Sequence, residues 1–234
     1  MTLAPRAVLA ARFAAPLALT LLVLGLAADA VPAEAKPKAR SRTWALSFQA
    51  DTLGQAPAQS AVMSGTWEVA EDTEGARNDS TGAYPRLLRQ VDGEAGEVHH
   101  WIRFLKPVVG DGEVSVRFRV RSGELDPSVG LAFHLDKKGR NGYVVRVSGA
   151  DSELIAHYLV YGKRRDMKYE KIDALAAGAW HTLAVRREGM TITVFYDGAE
   201  RMRLRDERFR EGTVGLWTED DTIADFADLT ITTR

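Results

Sequence analysis

Histidines and arginines at alternating positions are the residues of this chain best suited to chemistry. Between Val129 and Leu135, extended backbone puts Leu131, Phe133 and Leu135 on one face and His134 on the other. In the same way His157 opposes Tyr158, and Arg146 opposes Val145 and Val147. Arg117 and Arg119 alternate with Val116, Phe118 and Val120 in EVSVRFRVR. Imidazole can give or take a proton near neutral pH, and guanidinium grips oxygen acceptors. Tyr161 shares a face with His157 by alternation, and a ring beside polar groups suits a pyranose, whose apolar face stacks while its rim forms hydrogen bonds. The expected ligand-binding set is Arg117, Arg119, His134, Arg146, His157 and Tyr161, with a carbohydrate or glycan as partner. Solvent-facing strand positions are polar in any antiparallel sheet. The deciding geometry is therefore whether His134, Arg146, His157 and Tyr161 meet in one groove.

Other chemistries are weaker or excluded. The chain has no cysteine, which removes disulfides, thiolate metal sites and a cysteine nucleophile. It contains neither H-x-H nor H-E-x-x-H, so a transition-metal site has little support. The acidic run Glu219, Asp220, Asp221, Asp225 and Asp228 offers oxygen ligands for calcium, with Asp220, Asp221 and Asp225 as candidates. Asp220-Asp221 also reads as a hairpin tip between Trp217 and Phe226. His181 reads as support for its strand, and His99 and His100 as edge residues opening HHWIRF. With 31 basic and 32 acidic side chains, the chain has no field that would attract nucleic acid.

The elements that must position these residues are strands. Period-two alternation predicts strands over 113–121, 129–135, 143–148, 154–161, 180–187, 191–196 and 213–218, and shorter ones at 44–48, 67–70, 86–90 and 101–105. Asp92-Gly93, Asp111-Gly112, Asn141-Gly142 and Asp197-Gly198 read as hairpin turns. Gly162 to Tyr169 reads as a basic loop, and one helical turn is expected at 173–177. Many short strands at hairpin spacing indicate an all-β sandwich or barrel.

The order of blocks GDGEVSVRFRV, VGLAFH, NGYVVRV, GAWHTLAVRREG, ITVFYDG, GTVGLWT and ADFADLTI resembles the concanavalin A-like domains of the 3-keto-disaccharide hydrolase family. More distantly it is similar to laminin G-like and glycoside hydrolase family 16 domains. The resemblance covers residues 43 to 234 and implies a two-sheet antiparallel jelly-roll sandwich, with Trp180 and Trp217 in its core. A family 16 enzyme needs two glutamates in E-x-D-x-E on one strand face. The nearest match here is Glu124-Leu125-Asp126-Pro127-Ser128, which puts Ser128 where the second carboxylate belongs. Pro127 also marks this segment as a loop. A 3-keto-sugar enzyme instead needs a base to remove the proton beside the ketone, and His134 and His157 are the candidates the resemblance implies.

At the N-terminus, Arg6 and Arg12 precede an uncharged Leu-rich run from Phe13 to Ala28, and Ala28-Asp29-Ala30 matches A-x-A. Residues 1–30 read as a signal peptide cut before Val31. The apolar run is shorter than the roughly 20 residues of a comfortable membrane span. Residues 31–42, rich in Pro, Ala, Lys and Arg, read as a flexible linker, and 43–234 as the β-sandwich domain. The expected protein is exported, periplasmic or extracellular, and keeps no stable membrane span. Its expected role is a carbohydrate-binding or adhesion module. The alternatives are a hydrolase or lyase of 3-keto-glycosides and an envelope protein-interaction module.

Overall fold

The computed structural model describes residues 41–75, 82–94, 96 and 98–234. The signal and most of the linker expected from the sequence lie outside them. Fifteen strands follow in chain order: β1 (Arg42–Leu46), β2 (Ser60–Ser64), β3 (Trp67–Glu71), β4 (Arg86–Gln90), β5 (His99–Phe104), β6 (Gly112–Ser122), β7 (Ser128–Leu135) and β8 (Gly142–Ser148). These continue with β9 (Glu153–Val160), β10 (Lys163–Lys171), β11 (His181–Glu188), β12 (Thr191–Tyr196), β13 (Ala199–Arg205), β14 (Thr213–Glu219) and β15 (Ile223–Thr233). They form two antiparallel sheets, as the sequence predicts. An eight-stranded sheet runs β13-β12-β11-β6-β15-β4-β3, with β1 also on β15, and a seven-stranded sheet runs β10-β9-β8-β7-β14-β5-β2. Among the described residues there is no helix, and none is long and apolar enough to cross a membrane.

The core between the sheets follows the alternation. Val114, Val116, Phe118 and Val120 of β6 face Leu131, Phe133, Tyr143, Val145 and Val147 of β7 and β8 across one buried cluster. Phe118 pairs with Phe226 across β6 and β15, and both are fully buried. Each such ring contributes roughly 1.5–3 kcal/mol by leaving water.

Several sequence expectations change. Gly162 to Tyr169 is not a loop: Lys163 onward forms the edge strand β10, whose charged side chains suit an edge. Tyr161 and Gly162, with φ of 53° and 79°, make the tight turn into it. Residues 173–176 are not helical, and the chain turns at Gly178, whose φ is 75°. Asp92-Gly93, Asp111-Gly112 and Asp220-Asp221 are not hairpin tips, because each joins strands of different sheets. Asp197-Gly198 does close the β12–β13 hairpin, and Asn141-Gly142 ends the loop between β7 and β8.

Candidate functional site

The candidate site lies on the face of the seven-stranded sheet turned away from the core, and small residues on β7 create it. Ser128, Gly130 and Ala132 point to this face while Val129, Leu131 and Phe133 point inward. A Cβ on Gly130 would lie 3.0 Å from the Val145 carbonyl and 3.2 Å from the Cβ atoms of both Arg146 and Trp217. A low strand between β8 and β14 thus lets their side chains meet above it. Arg146 Nη1 reaches Glu219 Oε2 at 3.3 Å, although β7 separates their strands.

A polar network grows from that contact. Arg146 also donates from Nη1 to Asp126 Oδ2 at 2.9 Å and Ser128 Oγ at 2.6 Å. From Nε it donates to His157 Nε2 at 3.3 Å. Glu219, buried, accepts from the Trp217 indole at 2.9 Å and from Arg164 of β10. Asp126 accepts from Ser148 Oγ at 2.8 Å. Beside the network opens a cavity of about 320 Å³, lined by His99, Asp126, Arg146, Arg164, Glu219 and Asp220. Under its floor Trp217 stacks on Trp101, with ring centroids 5.0 Å apart, and His99 lies 4.9 Å from Trp217 on the same face.

The electrostatics follow from burial and the arginines. Burial lowers the pKa of His157 to about 4, and Arg146 and Arg164 push the same way. Asp166, which accepts from His157 Nδ1 at 2.8 Å, opposes this shift, but its carboxylate is more than half exposed and screened by solvent. His157 is thus a neutral ring with its proton on Nδ1 and its Nε2 lone pair on Arg146. Burial also lowers His99, helped by the Arg164 charge. Burial works against ionisation of Asp126, but Ser148 and the Arg146 charge outweigh it and hold the carboxyl below its usual range. Burial raises Asp220.

Of the four residues expected to share a groove, the structure joins Arg146 and His157 and separates the other two. His134 has φ 53°, which breaks the alternation and sends Leu135 to the outer cluster of Trp217 rather than to the face of Leu131 and Phe133. Its ring nitrogens face the Phe209 and Gly110 carbonyl oxygens at 2.9 and 3.0 Å, so neither is free for a substrate. Tyr161 does not continue the face of His157: its left-handed backbone places it at a hairpin tip, 73% exposed. Arg117 and Arg119 belong to the other sheet, with guanidinium groups 4.6 and 4.7 Å from the Trp180 ring centroid. Arg119 is buried there by Asp225, Asp72 and Glu74, and Arg117 pairs with Asp228 at 2.8 Å. Trp180 is accordingly half-buried outside the core, and Trp217 fills the outer cluster rather than the main one.

The calcium candidates do not converge. Asp220 accepts from Val98 N, Asp221 from Glu124 N and Leu125 N, and Asp225 from Arg89 and Arg119. Among the described residues no three His, Asp or Glu side chains group as a metal site.

Sequence reasoning missed His99 and Arg164 as site residues and read Glu219 only as part of an acidic run that could hold calcium. Glu219 follows Trp217 by two on one strand, and Arg164 and Asp166 alternate once Lys163–Lys171 is read as a strand. Those periodicities were the available signals. His99 pairs with Glu219 of β14 on one side, while the β2 ladder stops at Trp101, so on its other side it keeps the edge position expected of it.

The two sheets and their connections define a concanavalin A-like jelly-roll domain. No protein-family model matches the sequence, and no curated protein matches it. Among solved structures it is similar to the carbohydrate binding module CBM66 from Bacillus subtilis, with TM-score 0.60 and 19% identity over 73% of this chain and 93% of that one. It is also similar to the apo Crh5 transglycosylase, with TM-score 0.55 and 14% identity over 82% and 84% of the two chains. For the Bacillus licheniformis beta-glucanase the values are 0.51, 12%, 82% and 98%. At these identities the similarity defines the fold.

Proposed function

We propose that the protein is an exported carbohydrate-binding module that holds a glycan in the groove above β7. The observation that carries this reading is the Arg146–Glu219–Arg164 network, whose donors and acceptors are fixed around a cavity of about 320 Å³. Sugar hydroxyls both donate and accept, so alternating carboxylates and guanidiniums match them without reorganisation on binding. Similarity to a carbohydrate binding module and to a glucanase supports the same class of ligand.

Binding suits this geometry better than cleavage. Asp126 and Glu219 both accept from Arg146 Nη1, and neither is placed as a proton donor. His157 is 3% exposed with both ring nitrogens engaged, which leaves no lone pair for a base. The test is affinity electrophoresis and pull-down against a panel of polysaccharides. Saturable binding to at least one of them, lost in Arg164→Ala, is expected; absence of binding across the panel would sink the proposal. Turnover of a 3-keto-glucoside that disappears in His157→Ala would replace it with the hydrolase reading. For export, the mature protein should begin at Val31 by mass spectrometry, and an intact N-terminus would refute cleavage there.

A further inference from the structure

Leu183, Val185 and Arg187 occupy alternate positions on β11, and all three are buried. Arg187, 3% exposed, therefore holds the inward place of an apolar side chain near the end of the strand. Its guanidinium lies 5.9 Å from the Tyr143 ring centroid in the opposite sheet, and among the described residues its buried Nη1 has no hydrogen-bond partner. Two carboxylates line the same cavity without an ion pair to Arg187: Asp111, whose Oδ1 accepts from Gly189 N at 2.9 Å, and Glu207, which pairs with Arg210 at 3.2 Å. Arginine keeps its charge at any pH a folded protein meets, and a buried charge without a counterion is strongly destabilising. Arginine is seldom so buried unless paired. Beside it opens a cavity of about 250 Å³, lined by Asp111, Arg187, Gly189, Met190, Glu207 and Arg210.

We propose that this cavity is a second ligand site, in which Arg187 binds the carboxylate of a small organic acid. Two carboxylate oxygens match the guanidinium fork, and the pair gains strength away from water. A monoanion can pair with Arg187, whereas a dianion would meet about twice the repulsion from Asp111 and Glu207 in the same lining. The space falls below the roughly 300–1,000 Å³ of ordinary ligand pockets, so it suits one acid unit such as a uronate ring rather than a polymer. The site is independent of the glycan groove: Arg187 enters from the eight-stranded sheet, whereas the groove lies on the far face of the seven-stranded one.

Isothermal titration of the full protein at constant ionic strength tests this, with sodium glucuronate, sodium acetate, inorganic phosphate and glucose as probes. Saturable binding of glucuronate and acetate is expected. Affinity should fall about tenfold or more in Arg187→Met, which keeps the side-chain bulk without the charge, and stay unchanged in Arg164→Ala. Arg187→Lys, which retains charge but lacks the fork, should also weaken binding about tenfold, and it serves if the Met variant does not fold. No saturable binding of either acid, undiminished acid binding in the Arg187 variants, or phosphate or glucose binding that is as tight as glucuronate and equally lost in Arg187→Met would each overturn the proposal.

Discussion

Replacing Arg146 by alanine should destabilise the domain by about 3 kcal/mol, near the lower end of the roughly 3–5 kcal/mol for removing one partner of a buried ion pair. Arg146 is 8% exposed, and its guanidinium serves Asp126, Ser128, Glu219 and His157. Its loss leaves two carboxylates short of a cation. Both retain other donors, Asp126 through Ser148 and Glu219 through Arg164 and the Trp217 indole, which sets the lower figure. In a chain of this size 1 kcal/mol moves Tm by about 2–4 °C, so calorimetry should show a fall of about 6–12 °C. If the cost comes from uncompensated charge, adding Glu219→Gln to the Arg146 variant should restore at least about 1 kcal/mol, a coupling that independent sites do not show. A fall in Tm below about 2 °C, or strictly additive effects, would refute the account of the network.

The depressed His157 makes stability depend on pH. The unfolded imidazole takes up its proton near 6.5 and the folded one only near 4, so this contribution is complete above pH 6.5 and is lost as pH falls toward 4. The shift corresponds to about 3 kcal/mol, and urea denaturation should show that much less acid sensitivity between pH 7 and pH 4 in His157→Gln than in the parent. Gly130→Val places methyl groups where a Cβ alone already crowds Arg146 and Trp217. It should cost about 1–3 kcal/mol in unfolding experiments and abolish polysaccharide retention. Because Asp220, Asp221 and Asp225 each serve separate protein donors, EDTA should leave Tm and glycan binding unchanged; a calcium-dependent rise in Tm would contradict this. Tyr161→Ala, at an exposed hairpin tip, should change stability by less than about 0.5 kcal/mol and leave glycan binding intact in the same assays.

Alternation alone identified an all-β sandwich or barrel and the inward rows such as Val114, Val116, Phe118 and Val120, because a half-buried strand must repeat every two residues. It failed at β10, where an edge strand carries charge on both faces, and at His134 and Tyr161, where a left-handed residue breaks the alternation. The family resemblance anticipated the jelly roll, and Trp217 is fully buried in a core cluster as expected, whereas Trp180 is half-buried beneath Arg117 and Arg119. The sequence also placed Arg146 and His157 on the outer face of their strands. Only tertiary structure decided that Arg146 meets Glu219 across the low strand β7 and that Arg164 of β10 joins the same carboxylate, while Arg117 and Arg119, of the same residue types, lie on another sheet. Period two gives the face of a strand, but which strands become neighbours depends on long-range pairing that local pattern does not encode.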